Sequence, residues 1–422
     1  MAERRVVVTG IGVVAPGTPG REAFWERILS GVPATRRATL FDPTGFRSQV
    51  AAECDFDPVA GGLSAQEIRR NDRFAQFALV AGTEAIADSG LDPLRWDGDQ
   101  VGVSVGSAVG ATTRLETEYV AVSDRGRNWE VDGRYAMPFM YSVFVPSALV
   151  TEVSMKFGAH GPATMISTGC TSGIDAIGHA AQQIIDGEAD VMLAGGSESP
   201  ISPISYACFD AIRATSPHND DPVRASRPFD NTRQGFVMGE GCAMLVLEEY
   251  ERAKARHAAI YCEVAGYASR ANAFHMTGLH PDGLELAEAI RLAMSQAGVA
   301  PEQLGYISAH GSGTKQNDRH ETGAYKRILG DAAYRTPISS IKSMLGHSLG
   351  AIGALEMAAC ALAIDRGSVP PTANLYEPDP ECDLDYVPVE ARDVAVPHAL
   401  SVGSGFGGFQ SAMVFSEVGR SR

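Results

Sequence analysis

The chain has 422 residues, of which 45% are hydrophobic and 20% charged, the balance of a folded protein with one large core or two moderate ones. Its net charge of −16 at pH 7, with no basic arm and no extended lysine/arginine run, argues against a nucleic-acid partner, and no apolar run reaches the length of a membrane span. Seven scattered cysteines without a CxxC, and without a cysteine/histidine spacing suited to zinc, argue against a zinc site and fit a reducing, cytoplasmic setting.

Taken in chain order, residues 6–14 form an apolar stretch behind Arg4 and Arg5, broken by Thr9, Gly10 and Gly12, and read as a first buried strand rather than a signal peptide. Gly10-Ile11-Gly12-Val13-Val14-Ala15 fits a loose dinucleotide fingerprint. Pro16 and Gly17 break the chain where its helix would continue, which argues against nucleotide binding. A helical pattern covers 65–89 and includes the basic run around Arg69, Arg70 and Arg73. With Arg213, Arg224 and Arg227, this run is the best supply of positive surface; the plain alternative is internal ion pairing. A strand-like run follows at 101–105.

At 165–178 a β-like run ends in Ser167-Thr168-Gly169-Cys170-Thr171-Ser172-Gly173. Cys170, Ile174, Ile177, Ala181 and Ile184 recur at helical spacing, which predicts a helix over 172–186 with Cys170 at its N-terminus. Unpaired N–H groups and the helix dipole would there favour a thiolate, a nucleophile able to carry an acyl group as a thioester. The competing view is an inert buried cysteine.

Strand-like runs at 191–194 and 304–309 and helical patterns at 284–297, 318–329 and 350–365 fill the remainder. Alternating strands and helices predict an α/β protein with a mainly parallel or mixed sheet. Cys242-Ala243-Met244-Leu245-Val246-Leu247-Glu248 resembles Ser411-Ala412-Met413-Val414-Phe415-Ser416-Glu417. The likeness hints at a duplicated unit, one half at 1–250 and the other at 259–422, joined by a helix-prone linker at 251–258.

Within the second half, His310 stands at a strand's C-terminal end, ahead of Gly311-Ser312-Gly313-Thr314, where ligand sites of α/β sheets lie. Gly346-His347-Ser348-Leu349-Gly350 fits the nucleophile elbow of serine hydrolases and makes Ser348 a rival nucleophile. Residues 338–342 could supply the strand an elbow needs, but Ser343-Met344-Leu345-Gly346 intervenes. Lys342 and Glu356 could form an ion pair. The segment 403–409, Gly-Ser-Gly-Phe-Gly-Gly-Phe around Phe406, reads as a flexible loop, either gate or turn.

Cysteine after a Thr-Gly turn, His-Gly-Ser-Gly-Thr, Lys-Ser-Met-Leu-Gly-His and Gly-Phe-Gly-Gly, in that order, resemble the β-ketoacyl synthases of the thiolase superfamily. The resemblance runs essentially end to end and includes Ala225-Ser226-Arg227-Pro228-Phe229-Asp230 and Pro370-Pro371-Thr372-Ala373-Asn374-Leu375. Within the family the chain is similar to the ketosynthase α subunit of bacterial type II polyketide synthases, on the Cys170 stretch, the run from His310 to Thr322, and Gly346–Gly350. The fatty-acid synthases typically carry Ala-Cys at the nucleophile, and the non-catalytic chain-length factor lacks the cysteine.

The resemblance implies a duplicated thiolase-like fold in five layers, α-β-α-β-α, with mixed sheets. It implies decarboxylative Claisen condensation of malonyl-acyl carrier protein with an acyl chain on Cys170. The N–H groups of Cys170 and Phe406 would form the oxyanion hole, and Phe406 would also gate the site. His310 and His347 would bind the malonyl thioester carbonyl. Lys342, paired with Glu356, would tune His310, with Thr314 in support. No cofactor would be bound covalently: phosphopantetheine arrives on the acyl carrier protein, an acidic partner for which Arg69 and Arg70 are docking candidates. A chain-length factor would complete a heterodimer, with 106–145 supplying part of the interface. The alternatives are a fatty-acid-type 3-oxoacyl-[acyl carrier protein] synthase, a serine acyltransferase using Ser348, or a non-catalytic partner subunit.

Overall fold

The computed structural model describes residues 4–128, 131–280 and 282–419. Its principal strands are β1 (Val6–Ala15), β2 (Val101–Gly106), β3 (Ala163–Ile166), β4 (Val191–Glu198), β5 (Gly241–Glu249), β6 (Cys262–Ala271), β7 (Tyr306–Ser308), β8 (Ile338–Ser339), β9 (His398–Gly405) and β10 (Phe409–Ser416). They hydrogen-bond in the order β8-β7-β9-β10-β6-β1-β5-β4-β2-β3. Read outward from the centre, each half places its first, fifth, fourth, second and third strands in turn. In each half the first and fifth strands are antiparallel, and the second, third and fourth run parallel to one another. The two sets meet where β1 pairs antiparallel with β6, Val7 opposite Glu263.

Five helices complete the layers: α1 (Arg73–Ser89), α2 (Ser172–Ile185), α3 (Leu284–Ala297), α4 (Lys315–Leu329) and α5 (Ile352–Arg366). Helix α1 covers the outer face of the first set, and α3 that of the second, with α4 alongside. Helices α2 and α5 lie between the two sets, sharing the largest apolar cluster with β1, β5 and the central residues of β4. Glycine makes these close approaches possible. A Cβ on Gly173 would fall 2.7 Å from Ala354 N, and one on Gly353 2.7 Å from the Ile174 side chain. The G-x-G near the N-terminus has the same use: a Cβ on Gly10 or Gly12 would lie 2.1 Å from Ala85 O or 1.9 Å from Ala81 O. It is a bed for α1, not a phosphate loop.

Several boundaries differ from the sequence expectation. The helical pattern at 65–89 is two helices, Ala65–Arg70 and α1, because Asp72 adopts an extended backbone and caps α1 by accepting from Phe74 N. Helix α4 begins at Lys315, since the Thr314 side chain accepts from Asn317 N. The expected loop at 403–409 is mostly strand: β9 runs through Gly405 and β10 starts at Phe409, so only Phe406, Gly407 and Gly408 turn. Strand β8 stops at Ser339, short of the 338–342 run that an elbow at Ser348 requires.

Candidate active site

A cavity of about 260 Å³ opens between the two strand sets, and Cys170, His310, His347, Thr314, Leu349 and Phe406 are among its walls. The loop after β3 delivers Cys170. Gly169, at φ +62°, starts a 3₁₀ turn that ends at Thr171, and α2 follows directly. Ser172 Oγ accepts from Thr168 N at 3.0 Å and donates to Gly169 O at 2.6 Å, closing the turn. The expected apolar face of α2 is present: Ile174, Ile177, Ala181 and Ile184 are all buried.

The thiol differs from the sequence expectation. Burial pushes Cys170 up to about 11, against the pull of the Phe406 N–H and of the Lys342 charge. At rest the sulfur therefore keeps its proton, because removal from water costs the thiolate more than the Phe406 N–H and the Lys342 charge return. Phe406 sits at the tip of the β9–β10 hairpin with its N–H directed at the sulfur. The hairpin tip is braced by the preceding loop: Gly407 N donates to Met276 O at 2.6 Å and Asn272 N to Gly408 O at 2.8 Å. The Phe406 ring stacks on Phe209 with centroids 6.4 Å apart.

His310 leaves the end of β7. Its backbone N–H donates to Glu321 Oε1 at 2.6 Å, and that of Gly311 to Glu321 Oε2 at 2.8 Å, so one carboxyl on α4 holds the histidine turn. Burial raises Glu321 to about 7. His347 is pinned through its backbone to 237–239: its N–H donates to Val237 O at 2.7 Å, and its carbonyl accepts from Gly239 N at 2.9 Å. The two imidazoles meet edge to face with centroids 5.3 Å apart. Burial first, and then the Lys342 charge, hold both well below the ordinary histidine value, so both are neutral at pH 7. In each ring Nδ1 is enclosed and without a partner among the described residues. A proton on Nε2 leaves no enclosed donor unsatisfied in either ring.

Lys342 opens the short helix Lys342–Leu345, and its Nζ donates to Glu356 Oε1 of α5; both side chains are 1% exposed. Burial lifts the Glu356 carboxyl to about 7 against the attraction of Lys342. Thr314 reaches the cavity from the cap of α4, its Oγ1 3.1 Å from Ser312 Oγ.

Other expected residues fall elsewhere. Ser348 is buried, does not line the cavity and follows a helix rather than a strand, so the elbow geometry is absent. Arg70 is half-buried and donates to the buried Glu152 at 2.5 Å, so its charge is already paired within the chain and it is not a free docking cation. Arg69 is exposed. Arg213 is exposed at the cavity wall, with no ion-pair partner among the described residues. Glu321 and Glu198 escaped the sequence reading. Glu198 is fully buried at the end of β4 and accepts from Ser107 Oγ at 2.7 Å, Ala108 N at 2.6 Å and Gly350 N at 3.0 Å. It thereby ties the loop after β2 to the start of the segment behind His347. Its place at the C-terminal end of a strand was a usable signal; Glu321, inside a polar helix, offered none.

The chain matches the family model for the N-terminal domain of β-ketoacyl synthases over residues 3–253, and that for the C-terminal domain over 261–376. It is 61% identical to a putative polyketide beta-ketoacyl synthase 1 of Streptomyces cyaneus, covering 99% of this chain and 100% of the relative. It is 57% identical to the tetracenomycin polyketide synthase ketoacyl synthase alpha subunit of Streptomyces glaucescens, over 100% and 99% of the two chains. Among solved structures, a type II polyketide synthase acyl-carrier protein in complex with its ketosynthase bound to the hexaketide superimposes with a TM-score of 0.91. That match is at 40% identity and covers 99% of this chain and 100% of the other. The ishigamide ketosynthase/chain length factor gives 0.91 at 34% identity, with 99% and 100% covered. The fold is thus the five-layered thiolase-like one, and the chain belongs to the β-ketoacyl synthase family of condensing acyltransferases.

Proposed function

We propose that the chain is the ketosynthase α subunit of a type II polyketide synthase and extends an acyl chain by decarboxylative Claisen condensation. The observation that carries this reading is the meeting of one buried thiol and two neutral imidazoles in one cavity, from loops after three different strands. The Cys170 sulfur attacks the thioester carbonyl of an acyl group presented on phosphopantetheine. Its proton passes to a neutral imidazole and on to the departing pantetheine sulfur. The oxyanion lies between the N–H groups of Cys170 and Phe406. Malonyl carrier protein then binds with its thioester carbonyl facing the Nε2–H groups of His310 and His347. The bond to the carboxyl group breaks, carbon dioxide leaves, and the electron pair becomes an enolate held by those two donors. The enolate carbon attacks the Cys170 thioester, the carbon–sulfur bond breaks, the released Cys170 thiolate takes a proton from water to return to the resting thiol, and the chain leaves two carbons longer as a β-ketoacyl group. Neutral imidazoles suit this step, since a cation would quench the enolate. Burial and the Lys342 charge keep them neutral, Glu356 holds Lys342 in place, Thr314 supports the entering arm, and the Phe406 turn acts as gate.

The same reading divides the chain at 1–250 and 259–422, with the nucleophile in one unit and both histidines in the other. Exposed Tyr119, Tyr135, Tyr141 and Phe144 and the open edge of β3 suit a chain-length-factor partner. Arg69 and Arg213 suit an acidic carrier protein. Charge reversal at both should raise the KM for carrier protein and flatten its salt dependence; an unchanged KM removes them from docking.

Mass spectrometry after mixing with acyl carrier protein carrying an acyl group is the direct test. The expected adduct is on the peptide containing Cys170, and an adduct on Ser348 overturns the reading.

A further inference from the structure

Asp175 stands in the first turn of α2, 4% exposed, and no lysine, arginine or histidine among the described residues pairs with it. Four hydroxyls surround its carboxylate instead. Oδ2 lies 2.5 Å from Thr168 Oγ1 and 2.8 Å from Thr171 Oγ1, the two residues that bracket Gly169 and Cys170. Oδ1 lies 2.9 Å from Tyr267 OH on β6 and 2.5 Å from Ser411 Oγ on β10. Ser411 is opposite Gly403 on the hairpin whose tip is Phe406. One oxygen thus holds the nucleophile turn of the first half and the other holds the hairpin of the second. All four hydroxyls donate to the carboxyl oxygens, so it orients hydroxyls from both sides towards one point.

We infer that Asp175 is the positioning residue that sets the spacing of the two oxyanion-hole N–H groups, which come from different halves of the chain. This rests on the reading of Cys170 and Phe406 as that hole. A hole works only when both donors lie about 2.7–3.1 Å from the developing oxyanion, so a shift of about half an ångström between the halves weakens it.

The test uses the chain with its partner subunit and acetyl-loaded acyl carrier protein. Asp175→Asn is expected to slow acylation of Cys170 about 10- to 100-fold in kcat, with KM unchanged. Carbon dioxide release from malonyl carrier protein, which uses His310 and His347, should stay within about twofold, and alkylation of Cys170 by iodoacetamide within about threefold, since alkylation builds no oxyanion. Thr168→Val should reproduce the defect, and Thr168→Ser, which restores the hydroxyl, should reverse it. Should Asp175→Asn fail to fold, Ser411→Ala and Tyr267→Phe decide, each giving the same selective loss at about 3- to 10-fold. Unchanged acylation, or an equal fall in all three readouts, overturns the inference. Acyl transfer that survives in Cys170→Ala would instead overturn the underlying reading of the nucleophile.

Discussion

The loop after β3 and the loop after β8 occupy equivalent places in the two halves, yet they are held by opposite chemistry. Each passes from the third strand of its set through a short 3₁₀ turn into a buried central helix, α2 or α5. Around Cys170 the partners are hydroxyls and one unpaired-by-cation carboxylate, Asp175. Around His347 the corresponding resource is a buried cation, Lys342, with its counter-ion Glu356. The difference follows from what each loop must present. A nucleophile turn needs backbone N–H groups at a fixed distance, and short hydrogen bonds give that. A histidine that must stay neutral needs burial and a nearby positive charge, which disfavours the imidazolium.

The largest expected effect separates the two loops outright. Cys170→Ala should lower condensation about 10⁴-fold or more while carbon dioxide release from malonyl carrier protein continues. His347→Ala should show the reverse weighting, with decarboxylation down about 10²- to 10⁴-fold and acylation of Cys170 far less affected. Parallel losses in both variants, in stopped-flow acylation and carbon dioxide assays, would break the division of labour.

Lys342→Met sharpens the second side of the comparison. It leaves Glu356 buried without its cation, and equilibrium denaturation should show a loss of about 3–5 kcal/mol. It also removes a charge that depresses His310 and His347. In the parent chain those histidines bind protons less readily than in the unfolded chain. Their contribution to stability is therefore whole above the ordinary histidine value of about 6.5 and declines as pH falls below it. In Lys342→Met the folded-state values rise, so the acid limb of the decarboxylation profile should move to higher pH and the acid-side loss of stability should become shallower. An unmoved acid limb would show that Lys342 does not act on the imidazoles.

The smallest effect tests the first side. With the Cys170 thiol at about 11, iodoacetamide alkylation should climb about tenfold per pH unit through 9 and 10 rather than level off near 8.5. A plateau at neutral pH would restore the thiolate expected from a helix N-terminus.

That thiol marks the line between what was legible and what was not. Cys170, His310, His347, Lys342 and Phe406 were all marked by local signals, since a turn of small residues and a change of period are properties of neighbouring residues. The duplication was visible in two closing strands, which are β5 and β10 at the same place in each set. The Lys342–Glu356 pair was legible because it spans a short loop and one helix turn. The protonation state of Cys170 was not, because it depends on how completely water is removed by residues far along the chain. Arg70 looked free until the fold placed Glu152 against it, and the elbow at Ser348, already weakened in the sequence by the residues at 343–346, loses its strand where β8 ends at Ser339. Asp175 gave no signal, since two of its four partners, Tyr267 and Ser411, acquire meaning only once β6 and β10 are laid beside α2. The sequence by itself determined which groups can react and in what order they occur. The tertiary structure decided which are dry, which are charged and which share a cavity, because desolvation and long-range convergence belong to the packed chain and not to any segment of it.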